Sequence, residues 1–313
     1  MKNTKRNAVP KLNQGHESRV ELARRIASLL GNQENQITQI PGVSLHQRAS
    51  PTSPCRATYH PGIIVVAQGS KQVNLGPTTF VYDESHFLLT AVDLPIVSWV
   101  AKASEKAPCL VLSLKLDMSM VRELLGREEI HVAELSPDSP AMSIGETTPE
   151  FLSACCRLLA LLHSPQDIPF LSDLIQREII YRILRGHAGA RLRAVATLGD
   201  QSHRTAKAVA WIAVNYSKPL RVEELAEVAN MGISTLHHHF RILTSMSPLQ
   251  YQKQLRLQSA RTLMLNNGLD AASAAFEVGY ESATQFNREY SRFFGQPPMR
   301  DVRALRSSSA LIA

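Results

Sequence analysis

The chain has 313 residues, of which 44% are apolar and 19% charged; that is ample for buried cores and excludes wholesale disorder. The length favours two domains. Lys and Arg outnumber Asp and Glu by 34 to 27, but the excess lies at the ends: seven against two in residues 1–25, thirteen against eight in residues 201–313, and fourteen against seventeen between them. A uniformly basic surface is therefore excluded, and a nucleic-acid module behind a mildly acidic sensor or enzyme domain fits.

No run of about 18 apolar residues occurs, so no membrane span is expected. The polar, basic N-terminus lacks the apolar stretch of a secretory signal. Cys55, Cys109, Cys155 and Cys156 show no C-x-x-C spacing. They do not form a disulfide framework, and a reducing, cytoplasmic location is expected.

In chain order, residues 1–18 read as a flexible basic arm and residues 20–30 as a short amphipathic helix ended by Gly31. Between Gly42 and Asp117, β-rich runs at 63–67, 71–75, 79–82, 86–91, 96–101 and 109–116 are separated by turn signals. Strands at this spacing predict a small antiparallel barrel or sandwich able to hold one small ligand. Helices follow over residues 118–125, 149–162 and 170–184, the last apolar at Leu171, Leu174, Ile175, Ile179 and Ile183. Residues 187–203 read as an interdomain linker. From Thr205 onward nearly everything is helical.

The C-terminal part repeats itself at an offset of 50: Val228 on Val278, Leu236 on Phe286, Phe240 on Tyr290, Pro248 on Pro298. Each unit reads as helix, tight turn, helix, with Ser234 and Ser282 as candidate N-caps. This is the layout of a helix-turn-helix, whose second helix enters the major groove. At 100° per residue, Leu236, Phe240 and Leu243 form the core face of the first such helix, and Ser234, His238, Arg241 and Ser245 lie opposite, with His237 beside them. In the second, Phe286, Tyr290 and Phe293 face the core; Thr284, Arg288 and Ser291 lie opposite, with Gln285 and Arg292 at the edges. Arg takes guanine bidentately and Gln adenine, while hydroxyls and exposed cations position phosphates. The expected DNA-contacting set is Ser234, His237, His238, Arg241, Ser282, Thr284, Gln285, Arg288, Ser291 and Arg292. The helix over residues 248–265 is long enough to hold the two units about one DNA turn apart.

These residues resemble the AraC/XylS-type family of bacterial transcription regulators. The match runs from Leu225-Ala226 through Gly232-Ile233-Ser234-Thr235-Leu236 to Phe240 and Ser247-Pro248-Leu249-Gln250-Tyr251. It resumes at Ala274-Ala275-Phe276-Glu277-Val278-Gly279-Tyr280, Gln285-Phe286-Asn287-Arg288-Glu289-Tyr290, Phe293-Phe294-Gly295 and Pro297-Pro298. Over about 100 residues, the resemblance implies a seven-helix domain with two helix-turn-helix units. The pattern usually carries Arg where this chain has His238, which removes the permanent charge and the fork. More loosely, Tyr59-His60-Pro61-Gly62, Val66-Ala67-Gln68-Gly69, Tyr82, His86-Phe87-Leu88-Leu89, Val92-Asp93-Leu94-Pro95 and Leu112-Ser113-Leu114 resemble the N-terminal domain of one subgroup. That implies a cupin-like β-barrel with flanking helices, sensing an effector.

The expected organisation is thus α+β in two domains. A basic arm (1–18) precedes a cupin-like sensing and dimerisation domain (19–190), a linker (191–203) and an all-α DNA-binding domain (204–306) with units at about 220–245 and 269–295. The expected partners are double-stranded promoter DNA and a small-molecule effector; RNA polymerase and a second copy of the chain are further candidates. Neither cofactor nor metal nor catalytic residue is expected. His237-His238-His239 point 100° apart and cannot share one ion, and His46, His60 and His86 are scattered. Cys55 and Cys109 stand as candidate thiol sensors against the commoner fate of small buried hydrophobes. Trp99 and Trp211 read as core aromatics. No G-x-S-x-G, Walker loop, dinucleotide fingerprint or H-E-x-x-H occurs. Two rival functions stay open: a cupin-like metal-dependent enzyme with a DNA-binding tail, and a non-specific architectural DNA protein.

Overall fold

The computed structural model of the chain describes residues 11–126 and 139–310. It begins with helix α1 (Lys11–Leu30), followed by strands β1 (Asn35–Ile37), β2 (Val43–Arg48), β3 (Cys55–Tyr59), β4 (Gly62–Gln68), β5 (Ser70–Leu75), β6 (Thr78–Asp83), β7 (His86–Thr90), β8 (Leu94–Lys102) and β9 (Cys109–Lys115). Helix α2 (Met118–Leu125), strand β10 (Met142–Glu146), and helices α3 (Pro149–Ala160), α4 (Ile168–Arg185) and α5 (Ala190–Ala196) complete this half. The helical remainder is α6 (Gln201–Asn215), α7 (Val222–Ala229), α8 (Ile233–Thr244), α9 (Pro248–Asn266), α10 (Ala271–Glu277), α11 (Ala283–Phe294) and α12 (Pro298–Ala310).

The strands form two antiparallel sheets, ordered β1-β2-β9-β4-β7-β10 and β3-β8-β5-β6. The six expected strands are all present. The four missed ones, β1, β2, β3 and β10, are short or partly polar, and a polar strand gives little period-2 signal. In the six-stranded sheet Val43, Leu45, Ile63, Val65, Leu112 and Leu114 are buried, and α1 packs against β2, β4 and β9. Helix α3 packs on α1, and Phe151 stacks on Phe87 of β7 with ring centroids 4.9 Å apart.

Two expectations are corrected. The arm over residues 1–18 is not wholly a flexible tail: residues 11–18 are helical and extend α1, while residues 1–10 lie outside the described residues. The stretch 191–203 is not an open linker either. It folds as α5 and the start of α6, with Leu192, Val195 and Ala196 in the core and His203 Nδ1 2.9 Å from the Val195 carbonyl. Its Arg and His residues disguised an apolar face only one or two turns long.

One core runs without interruption from Leu22 through the sheets and α3–α6 to Leu255, so the first helix-turn-helix unit shares it. A second, smaller core, from Leu257 to Val302, belongs to the second unit. The cap signals in the sequence act as read at several starts. Thr148 accepts from Phe151 N–H with Pro149 in the first turn, and Ser247 and Gln250 form a reciprocal capping box at α9.

Candidate nucleic-acid interface and effector cavity

The offset of 50 is structural. Helices α8 and α11 each span 12 residues and begin 50 positions apart, as do α9 and α12. Leu236, Phe240 and Leu243 are buried in α8, and Phe286 and Tyr290 in α11. Phe240 packs edge-on to Tyr251 and Phe286 edge-on to Tyr280.

The opposite faces are exposed. Ser234, His238 and Arg241 stand in solvent on α8, with His237 half-buried beside them. On α11, Thr284, Gln285 and Arg288 are exposed. Among the described residues, the Arg241, Arg288 and Arg292 side chains have no hydrogen bond or ion pair, so α8 offers one uncommitted guanidinium and α11 two. Ser282 caps α11 by accepting from Gln285 N–H at 3.3 Å, and Ser291 donates to the Asn287 carbonyl at 2.8 Å. Gln285 Nε2 lies 3.4 Å from Glu289 Oε1 and would have to leave it to read a base.

One site expectation changes, the Ser234 cap. Ser234 does not cap α8: the helix starts at Ile233 with Gly232 at the cap position, leaving the Ser234 hydroxyl on the exposed first turn. Arg292 lies on the crevice between α11 and the sheets, lined also by Arg56, Asn74 and Gln250.

Both recognition helices end against the sheet domain. The α8 terminal carbonyl of Leu243 accepts from Ala141 N–H at 2.9 Å, and Ser245 abuts Gly76 in the β5–β6 turn. At the end of α11, the Phe293 carbonyl accepts from Arg56 Nε at 2.7 Å, with the guanidinium 4.1 Å above the Phe293 ring. Last-turn carbonyls have no intrahelical partner, so these donors satisfy groups that otherwise need water. Strand β3, which carries Arg56, also holds α9: the Thr58 hydroxyl donates to Gln258 Oε1, and Gln258 Nε2 donates to the Ala57 carbonyl at 3.2 Å. Tyr251 of α9 donates to the Asp93 carbonyl at 2.8 Å.

Between the sheets lies a cavity of about 630 Å³. β3 lines it through Cys55, Ala57 and Tyr59, so one strand touches both the cavity and the DNA-binding half. Trp99 lines this space and is not a core aromatic. Lys71 lines it too, a residue no motif singles out. Its signal was present: it shares the period-2 face of Val73 and Leu75, both buried, which puts a cation in phase with apolar residues.

Among the described residues, no three His, Cys, Asp or Glu side chains are grouped to hold a metal ion. His46 Nδ1 is 2.9 Å from Asn35 Oδ1, His60 Nδ1 2.5 Å from Asp93 Oδ1, and His86 Nδ1 2.9 Å from Asp83 Oδ1. Burial pushes the Cys109 thiol up to about 11, so it stays protonated near neutrality and is a poor oxidant sensor. Cys55 is exposed. No helix among the described residues is long and apolar enough to cross a membrane.

An antiparallel two-sheet domain joined to a pair of helix-turn-helix units is the architecture of a two-domain DNA-binding regulator. Residues 39–191 match the model of the AraC-type transcriptional regulator N-terminus, and residues 225–304 that of a helix-turn-helix domain. The chain belongs to the AraC family of bacterial transcription regulators. It is similar to the virulence regulon transcriptional activator VirF of Yersinia enterocolitica, 24% identical over 76% of this chain and 87% of VirF. It is 26% identical to the HTH-type transcriptional regulator ArgR of Pseudomonas aeruginosa over 49% of this chain, and spans only 46% of ArgR. The crystal structure of ToxT from Vibrio cholerae O395 has the same fold, with a TM-score of 0.54 at 9% identity, over 86% of this chain and 97% of ToxT.

Proposed function

We propose that the chain recognises specific promoter sequences through the exposed faces of α8 and α11, and that a small molecule in the sheet cavity controls this. The observation that carries the reading is the pair of 12-residue helices, each buried on one face and each presenting an uncommitted Arg, Arg241 or Arg288, on the other. Arg288 acts as a base reader. His238, its counterpart at the offset of 50, hydrogen-bonds without a permanent charge. The proposed division of labour is sensing by residues 19–190 and DNA binding by residues 204–306. The effector acts by shifting the orientation of the two halves, because β3 belongs to both contacts. A structure of ToxT from Vibrio cholerae strain SCE256 has an unsaturated fatty acid bound; at 9% identity that likeness concerns the fold alone.

The proposed role is regulatory rather than enzymatic, and a DNA partner supports a cytoplasmic location. RNA polymerase and a second copy of the chain are proposed partners. The second copy would pair across the outer face of α4, where Phe170 is 78% and Leu174 61% exposed.

Footprinting with the full chain on promoters near its own gene tests the reading. A discrete protected site is expected, with affinity falling steeply as salt rises; two spaced half-sites would report a second copy. Arg288→Ala should cost about 1–3 kcal/mol of specific binding and relax selectivity at one position. Equal affinity for promoter and competitor DNA would overturn specific recognition. Unchanged selectivity in the variant would remove Arg288 as a base reader.

A further inference from the structure

The cavity between the sheets has a distinctive chemistry. Its volume, about 630 Å³, falls in the ordinary range for small-molecule sites. No Asp or Glu lines it, yet three cations do: Arg48, the half-buried Lys71 and the exposed Lys115.

Among the described residues, Lys71 has no carboxylate partner. Its Nζ donates only to the Tyr59 hydroxyl, at 3.4 Å, with the Tyr59 ring centroid 6.0 Å away. The other cation deep in this wall is committed: Arg48 bonds the Glu34 and Gln47 carbonyls and Asn35 Oδ1, and lies 3.5 Å from Glu34 Oε2. The neighbouring imidazole offers Lys71 no negative charge. With Asn35 Oδ1 accepting at Nδ1, His46 Nε2 accepts from the Ser44 hydroxyl at 3.1 Å. Tyr82, paired with Lys71 across the β5–β6 ladder, is fully buried and does not line the cavity. Glu84, the carboxylate nearest in sequence to Tyr82 after Asp83, accepts from Gly69 N–H and does not line the cavity.

A half-buried cation without a counter-ion is costly, and an anionic ligand removes that cost. Of the two ammonium groups that line the cavity, Lys71 is the half-buried one and matches one negative charge, while Lys115 is exposed and keeps its hydration. The remaining wall includes Ala57, Ile64, Trp99 and Val111, which suit a carbon skeleton.

We propose that the cavity binds a small organic monocarboxylate with an apolar body, its carboxylate on Lys71 Nζ and its body along Ala57, Ile64, Trp99 and Val111. The proposal rests on the reading of the sheet domain as the effector domain. It names the ligand class of that domain and the residue that selects it. The body would lie against Ala57, whose carbonyl is held by Gln258 of α9, so an occupied cavity presses on the strand that grips the DNA-binding half.

Calorimetric titration of the full chain with octanoate, octan-1-ol and octylammonium tests the proposal, because the three share a body and differ in head group. Octanoate should bind about tenfold or more tightly than the alcohol, and octylammonium least. A parallel series on a 3-phenylpropyl body, with 3-phenylpropionate as the acid, distinguishes a chain from a ring. Lys71→Met should abolish the preference for the acid while leaving the alcohol's affinity unchanged, and Lys71→Arg should keep it. Without ligand, Lys71→Met should melt no lower than the parent, since it removes an unpaired cation.

Equal affinity for all three head groups, preference for the amine, an undiminished acid preference in Lys71→Met, or no binding of either acid would overturn the proposal. The footprint separates the two readings. A chain that protects its promoter site but binds neither acid sinks the ligand class alone. A chain that binds the acid through Lys71 but protects no site sinks the DNA reading alone.

Discussion

His46 shows how one residue's surroundings set its charge. Burial, then the charges of Lys71 and Arg48, lower its pKa to about 4 from a usual value near 6.5. The ring is therefore neutral at physiological pH and does not compete with Lys71 for an anion. A histidine depressed in the folded state contributes stability that is full above its unfolded pKa and is lost as pH falls towards its folded value. Between about 6.5 and 4 the unfolded chain binds a proton that the folded chain refuses. Acidification across that window should cost on the order of 3 kcal/mol through this residue. Urea unfolding at pH 7 and pH 4.5 should show a smaller pH effect in His46→Gln than in the parent. An identical pH dependence in the two would mean that the ring is protonated in the folded state.

At the scale of elements, the two helix-turn-helix units have separate cores and need a tie. Arg256 of α9 supplies it. Its guanidinium donates to the Tyr216 carbonyl at 2.6 Å, the Ser217 carbonyl at 3.1 Å, the Lys218 carbonyl at 2.9 Å and the Gly279 carbonyl at 2.8 Å. It thereby joins the end of α6 to the turn between α10 and α11. A second tie pins α12: Tyr290 donates to buried Asp301 at 2.7 Å, and Arg261 pairs with the same carboxylate at 2.8 Å. The turn itself depends on Gly279, at φ +88°, where an added Cβ would run into the Ser217 carbonyl. Gly279→Ala should therefore destabilise the second unit by at least about 2 kcal/mol. Chemical denaturation should show an earlier loss of the C-terminal helices. A midpoint equal to the parent's would mean that the turn relaxes freely. The glycine stood out in the sequence as a break before the second recognition helix, but its tight seat against Ser217 did not. That contact joins residues more than 60 positions apart, beyond the reach of any local pattern.

At the scale of the molecule, the cavity and the recognition helices are mechanically close. β3 lines the cavity and sends Arg56 to the end of α11, while its Ala57 and Thr58 hold α9. Arg56→Ala should leave ligand binding and DNA binding each measurable but uncouple them. The factor by which 1 mM octanoate changes promoter affinity in the parent should shrink towards one in the variant, as linkage requires when the shared element is cut. Electrophoretic mobility shifts with and without octanoate read this directly. An undiminished factor in the variant would place the coupling elsewhere.

The sequence by itself determined most of the helices, several of their caps and the polar faces of α8 and α11. Each of these is written within one or two turns of chain, where periodicity and capping residues act locally. It also marked six of the ten strands, those whose apolar runs are bounded by turn residues. Only the tertiary structure decided that the supposed linker is a buried helix, that Arg292 borders the crevice with the sheet domain, that Lys71 stands without a carboxylate in a cavity, and that β3 grips both the cavity and the DNA-binding half. Those facts depend on residues such as Arg56 and Phe293, 237 positions apart. Such pairs meet only when the two sheets and the helical domain have packed, and no short-range propensity encodes that meeting.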